Sequence, residues 1–202
     1  MNLPNKLTLL RVILIIPLII VFSLFIWYVK VYENGNFSQV DINSKSQFFL
    51  YANGILFTLS MITDFLDGYL ARKNNQITTF GKLFDPIADK ILTTTTLIFL
   101  AIFNYTYVLV VILFVIRDLF VDGSRNLIAK HNMKVEANIF GKLKTIFQTI
   151  AILSLLFLIP VIDKNVWWQV MILNIPMMIA LIMSIYSGII YFKQVIPLLN
   201  SK

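Results

Sequence analysis

Six apolar windows fall along the chain, at 9–32, 48–66, 86–107, 106–128, 142–162 and 166–192. Each is near the ~20 residues that an α-helix needs to cross a bilayer. They predict an all-α, polytopic membrane protein with six transmembrane helices and a polar cavity open to the cytoplasm. The third and fourth windows nearly touch, which requires a tight hairpin at Asn104-Tyr105-Thr106. With 58% hydrophobic and 13% charged residues, too little polar sequence remains for a separate soluble domain, so one domain is expected over 1–202.

The net charge of +7 would suit nucleic acid in a soluble protein. Here the basic residues stand between apolar stretches, where anionic lipid headgroups and phosphate-bearing substrates are the partners to expect and nucleic acid is not. If the N-terminus is cytoplasmic, only Lys30, Lys45 and Lys164 of the 17 Lys and Arg lie on the outer side. That asymmetry puts both termini inside and the chain in the cell membrane. Lys6 and Arg11 before the first apolar run resemble a signal peptide, but no small-residue cleavage site follows, so a retained span is expected. Cysteine is absent, which removes disulfides, zinc-thiolate sites and thiol catalysis. The single His131 sits in a polar loop and cannot anchor a His-rich metal site. The polar stretch from Glu33 to Gln47 reads as an outer loop without a catalytic role.

Four of the ten acidic residues cluster in Asp64-Phe65-Leu66-Asp67-Gly68 and Asp85-Pro86-Ile87-Ala88-Asp89. Spacings of three and four place each pair on one helix face, so two helices offer carboxylates to a shared space. Carboxylates in a membrane are costly unless paired or metal-bound. Hard oxygen ligands without His or Cys suit Mg²⁺ or Mn²⁺, and two such ions would stabilise an in-line displacement at a diphosphate. The alternative is that Asp64, Asp67, Asp85 and Asp89 only pair with Arg72, Lys82 and Lys90 at helix ends. Gly68 and Gly81 would let a nucleotide lie close to the backbone, or simply let helices pack. Arg72 offers a forked donor for a diphosphate, or a snorkelling cation at the interface.

The pattern Asp64-x-x-Asp67-Gly68-x-x-Ala71-Arg72 continuing to Gly81-x3-Asp85-x3-Asp89 resembles the signature of the CDP-alcohol phosphotransferase family, with every position present. The resemblance implies that the four aspartates ligate two metal ions, that Asp89 is also the general base for the acceptor hydroxyl, and that the protein is a homodimer. It further implies that Asn5 and Thr8, in Leu3-Pro4-Asn5-Lys6-Leu7-Thr8, and Thr78 contact the CDP-lipid. From the residues alone, Pro4, Asn5 and Thr8 equally mark the start of an interfacial helix, and Thr78 a loop.

The acceptor is read from a second cluster, Arg117, Arg125, Lys142 and Lys144, with Asp118 beside it. Two arginines and two lysines suit an acceptor that carries its own phosphate. Topology alone explains Lys130 and Lys134, but Arg117 lies deep in an apolar run. The blocks Val115-Ile116-Arg117-Asp118, Gly141-Lys142-Leu143-Lys144-Thr145 and Asn2-Leu3-Pro4-Asn5 resemble the bacterial phosphatidylglycerophosphate synthase branch. That implies CDP-diacylglycerol and sn-glycerol 3-phosphate as substrates. Asp122-Gly123-Ser124 departs from the commoner pattern of that branch. Other readings are inositol phosphate or phosphatidylglycerol as acceptor and, from a different class, a divalent-cation transporter whose aspartates line a path.

Overall fold

The computed structural model describes residues 3–32, 44–73, 79–131, 138–161 and 167–200. The described chain is helical: α1 (Leu3–Tyr32), α2 (Ser44–Lys73), α3 (Thr79–Ile102), α4 (Val108–Lys130), α5 (Ile139–Leu158), α6 (Trp167–Leu173) and α7 (Ile175–Asn200). Lys6–Tyr32, Lys45–Leu70, Ile139–Leu158 and Trp168–Pro197 are long and apolar enough to cross a bilayer. Helices α3 and α4 form over the other two predicted windows and carry Asp85, Asp89, Arg117, Asp118 and Arg125. The chain is therefore an all-α, multi-pass membrane protein. Ile13, Ile16, Ile20, Leu24 and Trp27 of α1 point away from protein, as a lipid-facing surface does.

The chain divides into two compact units, one of residues 1–105 and 153–163, the other of 106–152 and 164–202. In the first unit, α1 buries Thr8, Arg11, Ile15, Leu18, Phe22, Phe25 and Val29. These recur every three and four residues in turn, which is one continuous stripe along a helix. Helix α2 does the same with Ser46, Leu50, Asn53, Phe57, Ser60 and Asp67, and Asp64 falls on the same stripe. Lipid tails are as apolar as leucine, so contact and shape hold such a seam rather than escape from water. Aromatic rings supply much of that contact: Phe22 stacks on Phe99 with centroids 3.6 Å apart, and Phe25 on Phe103 at 4.5 Å. Phe25 also stacks on Phe49, so the middle of α1 is clamped by α2 and α3 together.

At the other edge of this unit, Gln47 donates to the Pro160 carbonyl at 3.1 Å. A Cβ on Gly54 would stand 2.8 Å from Phe157 Cζ, closer than carbon atoms approach. Gly54→Ala is expected to push that ring aside and to cost about 1–3 kcal/mol of stability. Thermal unfolding in detergent measures this, and an unchanged melting temperature would show that the ring turns away freely.

Helix α3 ends where the expected turn lies. Asn104 has φ 56°, its N–H bonds the Ala101 carbonyl, and the Tyr105 N–H reaches back to Leu100 at 2.9 Å. This is a Schellman cap, with asparagine in the left-handed position that glycine usually takes. The sixth window departs from one continuous helix. It breaks at Asn174, whose amide nitrogen Nδ2 donates to the Val170 carbonyl at 2.9 Å. Two residues on, Pro176 has no N–H for the helix ladder and biases Ile175 before it.

In the second unit, Val121 and Ile128 of α4 pack with Tyr191 and Val195 of α7, and Leu127 covers the cluster. Asn138 caps α5, accepting from the Phe140 N–H through Oδ1 and donating through Nδ2 to the Ser187 hydroxyl.

Candidate functional site

The polar group of the first unit extends the packing seams just described. The stripe of α1 ends in Thr8 and Arg11, that of α2 ends in Asp64 and Asp67, and Asp85 stands near the start of α3. Because α1 and α2 run in opposite directions here, both polar ends arrive at the same place.

Arg11 Nη1 lies 2.6 Å from Asp64 Oδ1, an ion pair without the alignment of a hydrogen bond. Nη2 donates to Asp67 Oδ2. One guanidinium therefore bridges two carboxylates three residues apart on α2. The Thr8 hydroxyl donates to Asp85 Oδ1 at 2.8 Å and leans toward Asp67 Oδ2 at 3.4 Å. Arg11 and Asp67 are nearly inaccessible, whereas the side chain of Asp64 is 42% exposed. The group thus has a buried floor and one open carboxylate.

Asp89 lies one helical turn beyond Asp85 and is half-buried, and its carbonyl accepts from the Thr93 hydroxyl at 2.9 Å. Gly68 and Gly81 stand in α2 and α3 beside the aspartates in sequence. Thr78 and the side chains of Asn5 and Arg72 lie outside the described residues. The structure thus brings together Thr8, Asp64, Asp67 and Asp85, and adds Arg11, which reads from sequence as a topology signal.

The donors fit a hard divalent cation, since all are carboxylate or hydroxyl oxygens. Among the described residues, no three carboxylates stand close enough to enclose an ion, and the Arg11 guanidinium holds the space that bridges Asp64 and Asp67.

The second unit carries the other predicted cluster. Lys144 Nζ donates to both oxygens of Asp118, at 2.8 and 2.6 Å, and Arg117 Nη1 donates to Oδ1 at 2.9 Å. Arg117 Nε is held by the Ser184 carbonyl at 2.8 Å, and the side chain crosses α7 at Gly188. Arg125 donates to the Tyr191 hydroxyl at 2.9 Å and lies 4.9 Å over the same ring. Lys142 is exposed and Lys144 is buried. The structure therefore joins Arg117 and Lys144 through Asp118, pairs Arg125 with Tyr191, and leaves Lys142 at the surface. Tyr191 and Ser184 escape sequence reading; their signal is the spacing of Ser184, Ser187 and Tyr191 along α7.

A family model described as CDP-alcohol phosphatidyltransferase matches residues 1–186. A Mycoplasma genitalium protein is 35% identical, covering 95% of this chain and 82% of its own length. A Mycoplasma pneumoniae protein is 34% identical over 100% of this chain and 90% of itself. A Bacillus subtilis protein is 34% identical over 96% of this chain and 94% of itself. All three carry the name CDP-diacylglycerol–glycerol-3-phosphate 3-phosphatidyltransferase.

Proposed function

The chain belongs to the CDP-alcohol phosphatidyltransferase family, and we propose that it transfers the phosphatidyl group of CDP-diacylglycerol to sn-glycerol 3-phosphate, giving phosphatidylglycerophosphate and CMP. The geometry that carries this reading is the convergence of Asp64, Asp67 and Asp85 from two helices on Thr8 and Arg11 of a third. The choice of acceptor is supported by the shared name of relatives that align with nearly the whole chain.

Two divalent ions, Mg²⁺ or Mn²⁺, held by Asp64, Asp67, Asp85 and Asp89 would neutralise the diphosphate and the leaving group. Asp89 takes the proton of the attacking glycerol hydroxyl. The hydroxyl oxygen bonds to the lipid-side phosphorus, the bond from that phosphorus to the bridging oxygen breaks, and CMP leaves with that oxygen. Gly68 and Gly81 leave room for the nucleotide, while Asn5, Arg72 and Thr78 hold the CDP moiety. Thr8 joins this site through the aspartates it orients. Arg117, Arg125, Lys142 and Lys144 bind the phosphate of the acceptor. Both units then serve one functional domain, acting as a homodimer in the cell membrane with its termini cytoplasmic. In that orientation the carboxylates lie at the cytoplasmic end of α2 and α3, where a soluble acceptor meets a lipid headgroup.

The test is CMP release by the purified protein in detergent with Mg²⁺, comparing no acceptor, glycerol 3-phosphate, inositol phosphate and glycerol. Release that needs glycerol 3-phosphate and stops on chelation is the expected outcome. Release with inositol phosphate instead would keep the chemistry and overturn the acceptor. No release with any acceptor would sink the reading and leave cation transport to be measured in proteoliposomes.

A further inference from the structure

Arg11 is one of the largest fully buried side chains among the described residues. A charge in that position needs a stated reason. It stands on the buried α1 stripe, one turn from Thr8 and one from Ile15. It meets two carboxylates, and its Nε has no hydrogen-bond partner. A buried guanidinium with an unused donor has not reached its best arrangement.

The oxygens that Arg11 occupies are Asp64 Oδ1 and Asp67 Oδ2, and a cation shared by those aspartates would need the same atoms. Guanidinium and divalent ion are both positive, so their presence at one carboxylate pair is mutually unfavourable. Without either, Asp64 and Asp67 would repel each other across one helical turn, with Asp85 tied to them through Thr8. We propose that Arg11 is a resident counter-cation: it bridges Asp64 and Asp67 when no ion is bound, offsetting their mutual repulsion, and yields at least one of them when the ion binds. Arg11 is thus a positioning residue that acts through the aspartates. The inference rests on the metal reading of those aspartates.

The experiment is Mn²⁺ binding to the detergent-solubilised protein, read from the electron paramagnetic resonance signal of free Mn²⁺, together with melting temperature with and without Mg²⁺. Arg11→Gln is expected to bind Mn²⁺ about tenfold more tightly than wild type, because one competing charge is gone. It should melt lower than wild type when metal-free and recover most of the difference in Mg²⁺. A merely structural arginine would give a loss that Mg²⁺ does not repair. Arg11→Lys keeps the charge but cannot bridge both carboxylates, so its Mn²⁺ affinity should fall between those of wild type and Arg11→Gln. It also decides the matter if Arg11→Gln does not fold. Unchanged or weaker Mn²⁺ binding in the folded variants overturns the proposal. If wild type itself binds no Mn²⁺ and Asp85→Asn behaves identically, the metal reading fails, and this inference falls with it.

Discussion

Asp89→Asn is expected to reduce CMP release by about a thousandfold or more while the protein remains folded. Asparagine matches aspartate in shape. The backbone at 89 continues α3, and its carbonyl keeps the bond from Thr93. On the proposed mechanism, the substitution removes the oxygen that would accept the acceptor's proton and one ligand of the ions. Those two losses act on different quantities. Loss of the base lowers kcat at saturating metal, whereas loss of a ligand raises the Mg²⁺ concentration needed for half activity. Measuring CMP release across a Mg²⁺ series separates them. Recovery at high Mg²⁺ would leave Asp89 a ligand and nothing more, and activity within tenfold of wild type at all concentrations would remove it from both roles. Metal ligation depresses carboxylate basicity, so activity lost at every Mg²⁺ concentration also implies that the hydroxyl is acidified before the proton moves.

The helices and the aspartate pairs are legible in the sequence because both depend on short-range rules. Length and apolar content place the spans, and spacings of three and four put Asp64 with Asp67 and Asp85 with Asp89. Arg11 is harder to see. A cation at the start of a first span is what orientation in a membrane demands, and that reading suffices until the stripe from Thr8 to Val29 shows Arg11 inside it. The break at Asn174 is also written locally, in Asn174-Ile175-Pro176, but a window average of hydropathy passes over it. Asp118 is local to Arg117, but other partners of the basic cluster are not. Arg117 finds the Ser184 carbonyl and Arg125 finds Tyr191, each more than 60 residues away. No periodicity links α4 to α7; packing around Val121, Ile128, Tyr191 and Val195, together with those two bonds, brings the faces together.

Lys144→Met is expected to raise KM for glycerol 3-phosphate about tenfold or more, with KM for CDP-diacylglycerol changed by no more than about twofold. Methionine keeps much of the length and apolar stem of lysine, so the contact with Phe114 survives without the cation. Asp118 then retains Arg117 alone, and losing a buried partner costs about 3 kcal/mol of stability. That cost arises whether the cluster binds substrate or only fastens α4 to the first turns of α5, so stability does not discriminate. Asp118→Asn does. It removes the anion that Lys144 and Arg117 share. If their work is to hold the acceptor phosphate, this variant should keep or lower KM for glycerol 3-phosphate while Lys144→Met raises it. If their work is structural, both variants should melt lower and neither should move KM. Lys142, exposed two residues before Lys144 on a different face of α5, adds a graded check. A point charge in water is screened, so Lys142→Ala should raise the same KM less than Lys144→Met, and more at low than at high salt. Equal rises for both substrates would take the phosphate away from this cluster and leave Asp118 as the partner for which these cations are placed.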